Sequence, residues 1–473
     1  MSAARWPHAD CMSAPPDDRY CPYPFWLSVA ASLAKSLGHE ARMVNPYAEY
    51  LDEDRYYRAV RRFNPEVTVL ESSTRTYNLD VRIAERIREE TGSKVILAGT
   101  MPTAAPGKVL EEGCADYIVR GEYEFAVADI IKALETRGNV GKISGIGYME
   151  GGSARLTGER PLAKLDDLPF PNWEDDNLWL YHDGFIRHYP GLQVHASRGC
   201  LFRCPYCQWN QLMYRERYRM FSNSYVVDML NHGLEIFPAC REIYFDDDNF
   251  TQRPEEEMIG LCKMIAGEKW DLPFSTMGHA GTVTRKSLEW MRKAGLYACK
   301  WGLETHDQNI LNSLGKGLNI GQFEKTLRWS ADLGVINHVT VMFGLEGQDY
   351  RSCLKTIDYV LGLYDRRLIE TAQFSIATPF LGTRFYEKAV SEGWLKTGEL
   401  DRFDGRSEAV INYPNLTKDE IERALNTGVK RMWRARAFRF VKSNITKPKA
   451  ILLKLAKEIE RRDRGRACAA SAG

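Results

Sequence analysis

The stretch SRGCLFRCPYC, residues 197–207, places three cysteines, Cys200, Cys204 and Cys207, within eight residues. It directly follows an apolar segment, residues 192–196, whose pattern predicts a buried β-strand. Three thiolates on one tight loop can hold three irons of a cubane cluster, since iron–sulfur clusters prefer thiolate ligands. Three ligands for four irons leave one iron open, and an open metal position is typical of a reactive site. The spacing therefore predicts a reactive iron–sulfur site at the end of a strand.

Two other interpretations of the three cysteines stay open at this point. Structural zinc usually takes four ligands, and His195, the nearest candidate for the fourth, lies on the predicted strand itself. A redox dithiol would need only one pair of the three thiols. The other eight cysteines are scattered singly, which is typical of small buried side chains.

The second half of the chain repeats a strand–helix pattern around this motif. Six apolar segments, each followed by a helical pattern, predict an open, partial (β/α)6 barrel. These predicted strands lie near residues 192–196, 242–245, 273–277, 297–302, 338–343 and 371–376. Beyond about residue 400 the strands end and the pattern becomes helical.

The first part of the chain also alternates strands and helices, which predicts an α/β, Rossmann-like, doubly wound parallel sheet. Its predicted strands cover residues 40–44, 67–72, 94–98 and 116–119, and its predicted helices cover residues 26–37, 79–90, 103–112 and 122–134. Ligands of such sheets bind beyond the carboxyl ends of the strands. Small, hydroxylic and acidic residues stand there, and ordinary turn chemistry is the alternative explanation for them. They are Ser72, Ser73, Thr74, Gly99, Thr100, Gly121 and Glu122.

These patterns divide the chain into four regions. We expect a Rossmann-like domain over residues 1–140, a hairpin and linker over 141–185, the partial barrel over 186–400, and a helical, basic region over 401–473. The last region holds fourteen lysines and arginines against three acids between residues 430 and 466. Such a run is either a solvated helix face or a surface that attracts an anionic membrane or a phosphorylated substrate.

Composition excludes several classes of protein. The 473 residues are 44% apolar and 27% charged, as in an ordinary globular protein. Lysine plus arginine (64) nearly equals aspartate plus glutamate (63), so the charge does not indicate a nucleic-acid partner. The polar start of the chain and the absence of eighteen consecutive apolar residues predict a cytoplasmic protein without a signal peptide or membrane span.

The cysteine motif after the first barrel strand, with Tyr206 before the third cysteine, resembles the radical S-adenosylmethionine (SAM) superfamily. The preceding doubly wound domain resembles the class with an N-terminal cobalamin (B12)-binding domain, above all its hopanoid-biosynthesis-associated and magnesium-protoporphyrin cyclase-type members. Further short patterns carry the resemblance over about residues 25–394. They are Gly121-Glu122, LPFP at 168–171, YFDDDNF at 244–250, Gly302-Leu303-Glu304, Lys316-Gly317 and TPFLGT at 378–383.

The resemblance implies a role for each motif. Cys200, Cys204 and Cys207 would ligate a [4Fe-4S] cluster at which SAM is reductively cleaved to a 5′-deoxyadenosyl radical. Tyr206 would lie against the adenine, Asp246 or Asp247 would accept the ammonium of SAM, and Glu304 would hold the ribose or form an ion pair. Cobalamin would bind at the seven residues at the strand ends of the first domain. Substrate contacts are expected from His279, His338 and Glu346.

The implied function is an enzyme that methylates, rearranges or oxidises an unactivated carbon of a small molecule, with a lipid or a lipid precursor as the preferred substrate class. Its reductant would be flavodoxin or ferredoxin, and the basic C-terminus would contact the inner face of the membrane. The sequence departs from the pattern of this class in two ways: residues 1–24 lack the expected apolar run, and the first domain lacks the motif Asp-x-His-x-x-Gly. An alternative therefore stays open, a radical SAM enzyme that no longer binds cobalamin. A cobalamin sensor or carrier and a structural zinc protein are the non-enzyme alternatives.

Overall fold

The computed structural model describes residues 21–183, 185 and 187–444, which form two α/β units and a C-terminal helix. The first unit has a five-stranded sheet in the order β1-β2-β3-β4-β5. Its first three strands are parallel and the last two form an antiparallel hairpin. The strands are β1 (Val67–Glu71), β2 (Lys94–Ala98), β3 (Tyr117–Val119), β4 (Ile146–Glu150) and β5 (Ser153–Leu156).

Helices cover the parallel strands, which explains why β2 is apolar and buried from Val95 to its end. Helix α3 ends at Gly92, whose left-handed conformation suits glycine. The helices of this unit are α1 (Phe25–Ser36), α2 (Glu53–Phe63), α3 (Tyr77–Thr91), α4 (Thr100–Ala104), α5 (Pro106–Glu111) and α6 (Glu124–Glu135).

Three local predictions for this unit are wrong. Residues 40–44 are not a strand: Glu40 and Arg42 are exposed, and the sheet begins with β1. Helix α3 begins at Tyr77 rather than at residue 79, and the Asn78 side chain donates a hydrogen bond to Asp401. The single helix predicted to end near residue 112 is split before Pro106, because a proline disfavours helical conformation in the residue that precedes it.

The second unit is a six-stranded parallel sheet in the order β13-β12-β11-β10-β9-β6, with β7 and β8 forming a separate antiparallel pair. All six predicted barrel strands are present. In the described part of the chain β6 and β13 are edge strands, so the barrel is open. The strands are β6 (Gly191–Val194), β7 (Ser197–Arg198), β8 (Arg219–Met220), β9 (Glu242–Phe245), β10 (Phe274–Gly278), β11 (Leu296–Glu304), β12 (Ile336–Phe343) and β13 (Thr371–Ile376).

Helices follow the strands around the outside of this sheet. They are α7 (Gln208–Leu212), α8 (Asn223–Ile236), α9 (Glu255–Gly267), α10 (Arg285–Lys293), α11 (Gln308–Ser313), α12 (Ile320–Asp332), α13 (Tyr350–Asp365) and α14 (Arg384–Ser391). The expected fold class, a Rossmann-like domain followed by an open partial barrel and a helical C-terminus, is therefore confirmed.

The C-terminal helix α15 (Lys418–Ser443) packs against β13 and α13. Thr417 and Glu420 form a capping box at its start. At Gly428 an added Cβ would lie 3.0 Å from the ring of Phe374, so a glycine there lets the helix approach the sheet. The predicted basic tail beyond residue 444 lies outside the described residues. Within the residues described, no helix combines the length and the apolar character that crossing a membrane requires.

Candidate cluster and cofactor site

The three cysteines lie on the loop that leaves β7, at the carboxyl end of β6. Their thiols are electrostatic neighbours, since Cys204 raises the pKa of Cys200 and both raise the pKa of Cys207. Burial is the larger cause in all three, and it raises the pKa of Cys200 to about 11. A bound cation reverses this effect, because metal coordination deprotonates a thiol.

The backbone of the loop is held tightly at its start. Gly199 has a φ of 82°, and a Cβ there would lie 2.2 Å from the carbonyl oxygen of Arg217, so only glycine fits. The amide of Gly199 donates to Asp248 (2.9 Å), and the amide of Cys200 donates to Asn210 Oδ1 (2.9 Å). The position of the first cysteine is thus fixed from both sides.

The acidic run after β9 supports the same loop. Asp247 accepts hydrogen bonds from the Ala196 amide (3.1 Å) and the Ser197 hydroxyl, and burial raises its pKa to about 7. Asp246 is buried directly beyond the strand, with its amide donating to Val194 (2.8 Å). Asp247 and Asp248 therefore anchor the cysteine loop, a structural role that the sequence did not reveal.

Glu304 ends β11 on the same side and forms a buried ion pair with Lys316 (2.7 Å). Burial alone would lower the pKa of Lys316, but Glu304 and then the thiols Cys204 and Cys200 raise it. A Cβ at Gly302 would lie 2.6 Å from Glu304 Oε1 and 2.7 Å from Lys316 Nζ, so glycine makes room for the pair. The sequence assigns no role to Lys316 beyond the Lys316-Gly317 pattern, but in the structure its side chain lies beside the cluster thiols.

Tyr206 and His279 also reach this region. Burial, followed by the charge of Cys204 and that of Glu304, raises the pKa of Tyr206. The His279 ring stacks on Phe202 of the cysteine loop at 4.0 Å, accepts from the Gly281 amide at Nδ1 (3.1 Å) and donates from Nε2 to the Lys316 carbonyl (2.8 Å). Burial lowers the pKa of His279 to about 3. Both ring nitrogens are thus engaged within the protein, which does not support the predicted substrate contact.

The other two predicted substrate residues lie elsewhere. His338 stands five residues before the carboxyl end of β12, about 17 Å along the strand at 3.3 Å per residue, and its Nδ1 bonds to Thr371. Since β12 begins at residue 336, two residues before the predicted strand, His338 lies within the strand and away from its carboxyl end. Glu346 is half-exposed and forms a surface ion pair with Lys388.

The strand ends of the first domain converge as predicted. Gly99 has a φ of 99°, and a Cβ there would lie 2.7 Å from the Ser72 carbonyl oxygen. The amide of Gly121 donates to Thr103 Oγ1 (2.9 Å). The hydroxyl of Thr100 is buried and has no hydrogen-bond partner in the described part of the chain, which leaves it available to a ligand.

This edge of the first sheet meets the segment that follows the cysteines. Gln208 donates to Thr74 Oγ1 (3.0 Å), and a Cβ at Gly121 would lie 3.8 Å from the carbonyl oxygen of Met213. The two predicted cofactor regions are therefore in direct contact. The segment that follows the cysteines thus covers this edge of the first sheet.

A buried ion-pair cluster joins the two domains just before the cysteines. Arg198 pairs with Glu122 (2.8 Å) and Glu124, its guanidinium lies 3.6 Å from the Trp26 ring centre, and Arg219 also pairs with Glu122. The side chains of Arg198 and Glu124 are only 1% and 2% exposed. Burial opposes ionisation of Glu122, yet the two arginines lower its pKa. Glu122 thus binds arginines here, rather than lining the edge where cobalamin was predicted.

Two family models match the chain at these two units. The model for the B12 binding domain matches residues 18–131, and the model for the radical SAM superfamily matches residues 194–360. The chain therefore has a radical SAM domain. It carries the B12-binding domain in front of its radical SAM domain, as the sequence motifs predicted, and it is an enzyme.

Curated relatives are similar to this chain over most of its length. An uncharacterized methyltransferase of Pyrococcus horikoshii is 26% identical over 85% of this chain and 86% of its own. The anaerobic magnesium-protoporphyrin IX monomethyl ester cyclase of Synechocystis is 24% identical over 76% of this chain and 71% of its own. The hopanoid C-3 methylase of Methylococcus capsulatus is 23% identical over 62% of this chain and 53% of its own.

Solved structures share the fold of this radical SAM enzyme. The methyltransferase TsrM of Kitasatospora setae, with cobalamin and a [4Fe-4S] cluster bound, has a TM-score of 0.65, 15% identity, and coverage of 80% of this chain and 77% of its own. The radical enzyme OxsB, with aqua-cobalamin and SAM bound, has a TM-score of 0.68 and 16% identity, and the match covers 90% of this chain and 65% of its own. The expected cofactors, SAM with a [4Fe-4S] cluster and cobalamin, are confirmed at the level of the matched domains.

The donor set of the cysteine loop fits such a cluster. Within the residues described, no three His, Cys, Asp or Glu side chains converge on a position for one metal ion. Each thiolate of a cubane binds a different iron, so neighbouring thiols on one loop need not converge on a single point.

Replacing the buried arginine of this radical SAM enzyme should weaken the whole fold. In Arg198→Met, Glu124 stays buried without its cation, so we expect the free energy of unfolding to fall by about 3 kcal/mol. Adding Glu124→Gln should restore part of the loss, because it removes the unpaired charge. Urea unfolding followed by circular dichroism measures both effects.

Arg203→Met, five residues further along the same loop, is the matched control because Arg203 is 76% exposed. It should leave the urea midpoint unchanged. Equal losses in the Arg198 and Arg203 variants would contradict a stabilising role for the buried ion pairs.

Proposed function

We propose that this enzyme uses SAM and one electron, at a [4Fe-4S] cluster held by Cys200, Cys204 and Cys207, to take hydrogen from an unactivated carbon of a small molecule. The observation that carries the proposal is the anchored three-thiol loop beside the buried Glu304–Lys316 pair. Cobalamin, when bound, supplies a methyl group that a carbon radical can accept. The names of two relatives, a methyltransferase and a methylase, support methyl transfer over rearrangement or oxidation.

We also propose the domain boundaries that the sequence indicates. The matched residues 18–131 fall within a first domain of residues 1–140, and the matched residues 194–360 fall within a barrel of residues 186–400. Residues 141–185 then contain the β4–β5 hairpin and the linker, and residues 401–473 contain α15.

Removing one cysteine tests the cluster assignment. After anaerobic reconstitution with iron, sulfide and hydroxocobalamin, the wild-type chain should hold about four irons and about one cobalt. Cys204→Ala should lose most of the 5′-deoxyadenosine production, since the cluster would lack one of its three thiolates. Iron and cobalt analysis and chromatography of the nucleoside measure these quantities.

Cys262→Ala is the control, because Cys262 is a buried thiol of α9, remote in sequence from the motif. It should keep its iron and its 5′-deoxyadenosine production. Wild-type production by Cys204→Ala would refute the cluster assignment. Four irons without cobalt would favour the alternative in which the first domain does not bind cobalamin. The hydrogen bond between Gln208 and Thr74 is compatible with that alternative, because it lies at the strand ends where cobalamin is predicted to bind.

For cobalamin itself we propose contacts at the strand ends of the first domain. The unpartnered hydroxyl of Thr100 and the close approach of Gly99 to Ser72 support this location. The remaining proposed contacts are Ser73, Thr74 and Gly121. Glu122 would support them indirectly, through its ion pairs with Arg198 and Arg219.

For SAM we propose that the adenine lies against Tyr206. The ammonium of the methionine part of SAM would donate hydrogen bonds to the carboxylates of the Asp246–Asp247 turn. The position of Asp246 at the carboxyl end of β9, next to the cysteine loop, supports the second contact. Glu304 would face the ribose while paired to Lys316, and Lys316 would meet the carboxylate of SAM. The buried lysine beside the thiols supports that last contact, because a carboxylate needs a cation when it leaves water.

The Lys316→Met variant tests the SAM site. A hydrogen bond to a charged group contributes about 1.5–3 kcal/mol, so we expect SAM affinity to fall by about tenfold to a hundredfold while iron content is kept. Equilibrium binding of SAM to the reconstituted protein measures the change. The double variant Lys316→Met/Glu304→Gln avoids a buried unpaired carboxylate, and wild-type affinity in both variants would contradict the assignment.

We propose a cytoplasmic protein that touches the inner face of the membrane through α15. Residues 429–444 hold six basic and no acidic residues. Clustered basic residues attract an anionic membrane surface, and large apolar side chains are exposed among them. These side chains are Val429, Trp433, Phe438 and Val441. A lipid or lipid-linked substrate would be consistent with that contact.

Vesicle flotation tests the membrane contact. Vesicles containing phosphatidylglycerol should bind the enzyme, and Arg434→Gln should weaken binding about fivefold, since each basic residue near such a surface contributes about 1 kcal/mol. Arg62→Gln, an exposed arginine of α2, is the control and should bind as the wild type does. Equal binding to neutral phosphatidylcholine vesicles would contradict the proposal.

A further inference from the structure

The cysteine loop presents one part of itself to solvent. Leu201, directly after Cys200, is 64% exposed, and the side chain of Arg203, directly before Cys204, is 76% exposed. In the described part of the chain, only Phe438 among the large apolar side chains is more exposed than Leu201. Leu201 thus gives the exposed part of the cysteine loop a small apolar centre.

Exposed arginines lie on the same loop and on the segments that contact its backbone. Arg384 donates from Nη2 to the Arg203 carbonyl oxygen (2.8 Å) and is half-exposed. Arg217 is exposed, and its carbonyl oxygen lies against Gly199 at the start of the loop. Glu216 is the acid that pairs with Arg384 and, at 3.8 Å, with Arg203, and its side chain is only 18% exposed. Positive charge therefore dominates the exposed part of this surface.

A cluster that cleaves SAM needs one electron from outside for each cleavage. The electron must enter close to the iron atoms, and Leu201 and Arg203 are the residues bonded directly to two of the three cysteines. Complexes of electron-transfer proteins are small and short-lived, and opposite charges raise their rate of association. The Leu201 surface has the character that such a complex requires: a small apolar centre with a charged rim.

We propose that Leu201, Arg203, Arg217 and Arg384 form the docking surface for a small electron-carrier protein with an acidic face. The inference rests on the proposed function, because it assumes a cluster on Cys200, Cys204 and Cys207. In the transfer, the reduced carrier loses one electron and the oxidised cluster gains it, with no bond formed or broken between the two proteins. The basic rim selects the carrier, and Leu201 sets the distance of approach.

Charge reversal on the rim tests this surface. Reduction of the reconstituted cluster is followed anaerobically by stopped-flow absorbance, with photoreduced flavodoxin as the acidic carrier and reduced methyl viologen, a small cation, as the comparison. In Arg203→Glu/Arg384→Glu, reduction by flavodoxin at low ionic strength should slow by about tenfold or more, since charge steering changes association rates by that order. Reduction by the viologen should not slow.

Arg62→Glu is the matched control, because it reverses an exposed arginine on α2 of the first domain. Its cluster should be reduced by flavodoxin at the wild-type rate. If flavodoxin reduces the double variant at the wild-type rate, or if the viologen is slowed equally, the docking surface is wrong.

The wild-type enzyme provides a test that does not depend on any variant. Its reduction by flavodoxin should slow as ionic strength rises, because salt screens the attraction between exposed charges. A rate independent of salt would overturn the proposal even if the double variant failed to fold. Failure of the proposed function would differ from both outcomes, since the wild-type chain would then bind no iron.

Discussion

The buried pairing of Arg198 with Glu122 and Glu124 is the interaction on which the rest of the structure depends. It joins the first domain to the barrel two residues before the first cysteine. Burying three charges is costly unless each one is paired, so the cluster of charges holds only when both domains are in place. The cysteine loop therefore starts from a point that is fixed by two domains.

Beyond that point, separate parts of the chain converge on the loop. Asp247 and Asp248 bind its backbone, and the ring of His279 stacks on Phe202. A Cβ at Gly317 would lie 2.6 Å from the Phe202 ring, so the Lys316–Gly317 turn must also approach closely. Short motifs that lie far apart in the sequence thus form one set of contacts around the cysteines.

Much of this arrangement could be predicted from the sequence. Apolar strand segments and the cysteine spacing indicated the six barrel strands and the candidate cluster loop, because burial and thiolate chemistry act locally. The roles of Asp247, Glu122 and His279 could not be predicted, since each depends on a partner far away in the chain. The prediction of a strand at residues 40–44 is wrong for a similar reason, because a segment forms a strand only where a neighbouring strand completes its hydrogen bonds.

The contact between Gln208 and Thr74 has a consequence for how the enzyme acquires its cofactors. The edge that would admit cobalamin is also the junction between the domains, which the Arg198 ion pairs hold closed. An opening that requires buried charges to separate is slow, so exchange of the cofactor in the folded enzyme would be slow as well. Cobalamin would then load slowly onto the folded chain, and a cofactor once bound would stay through many turnovers.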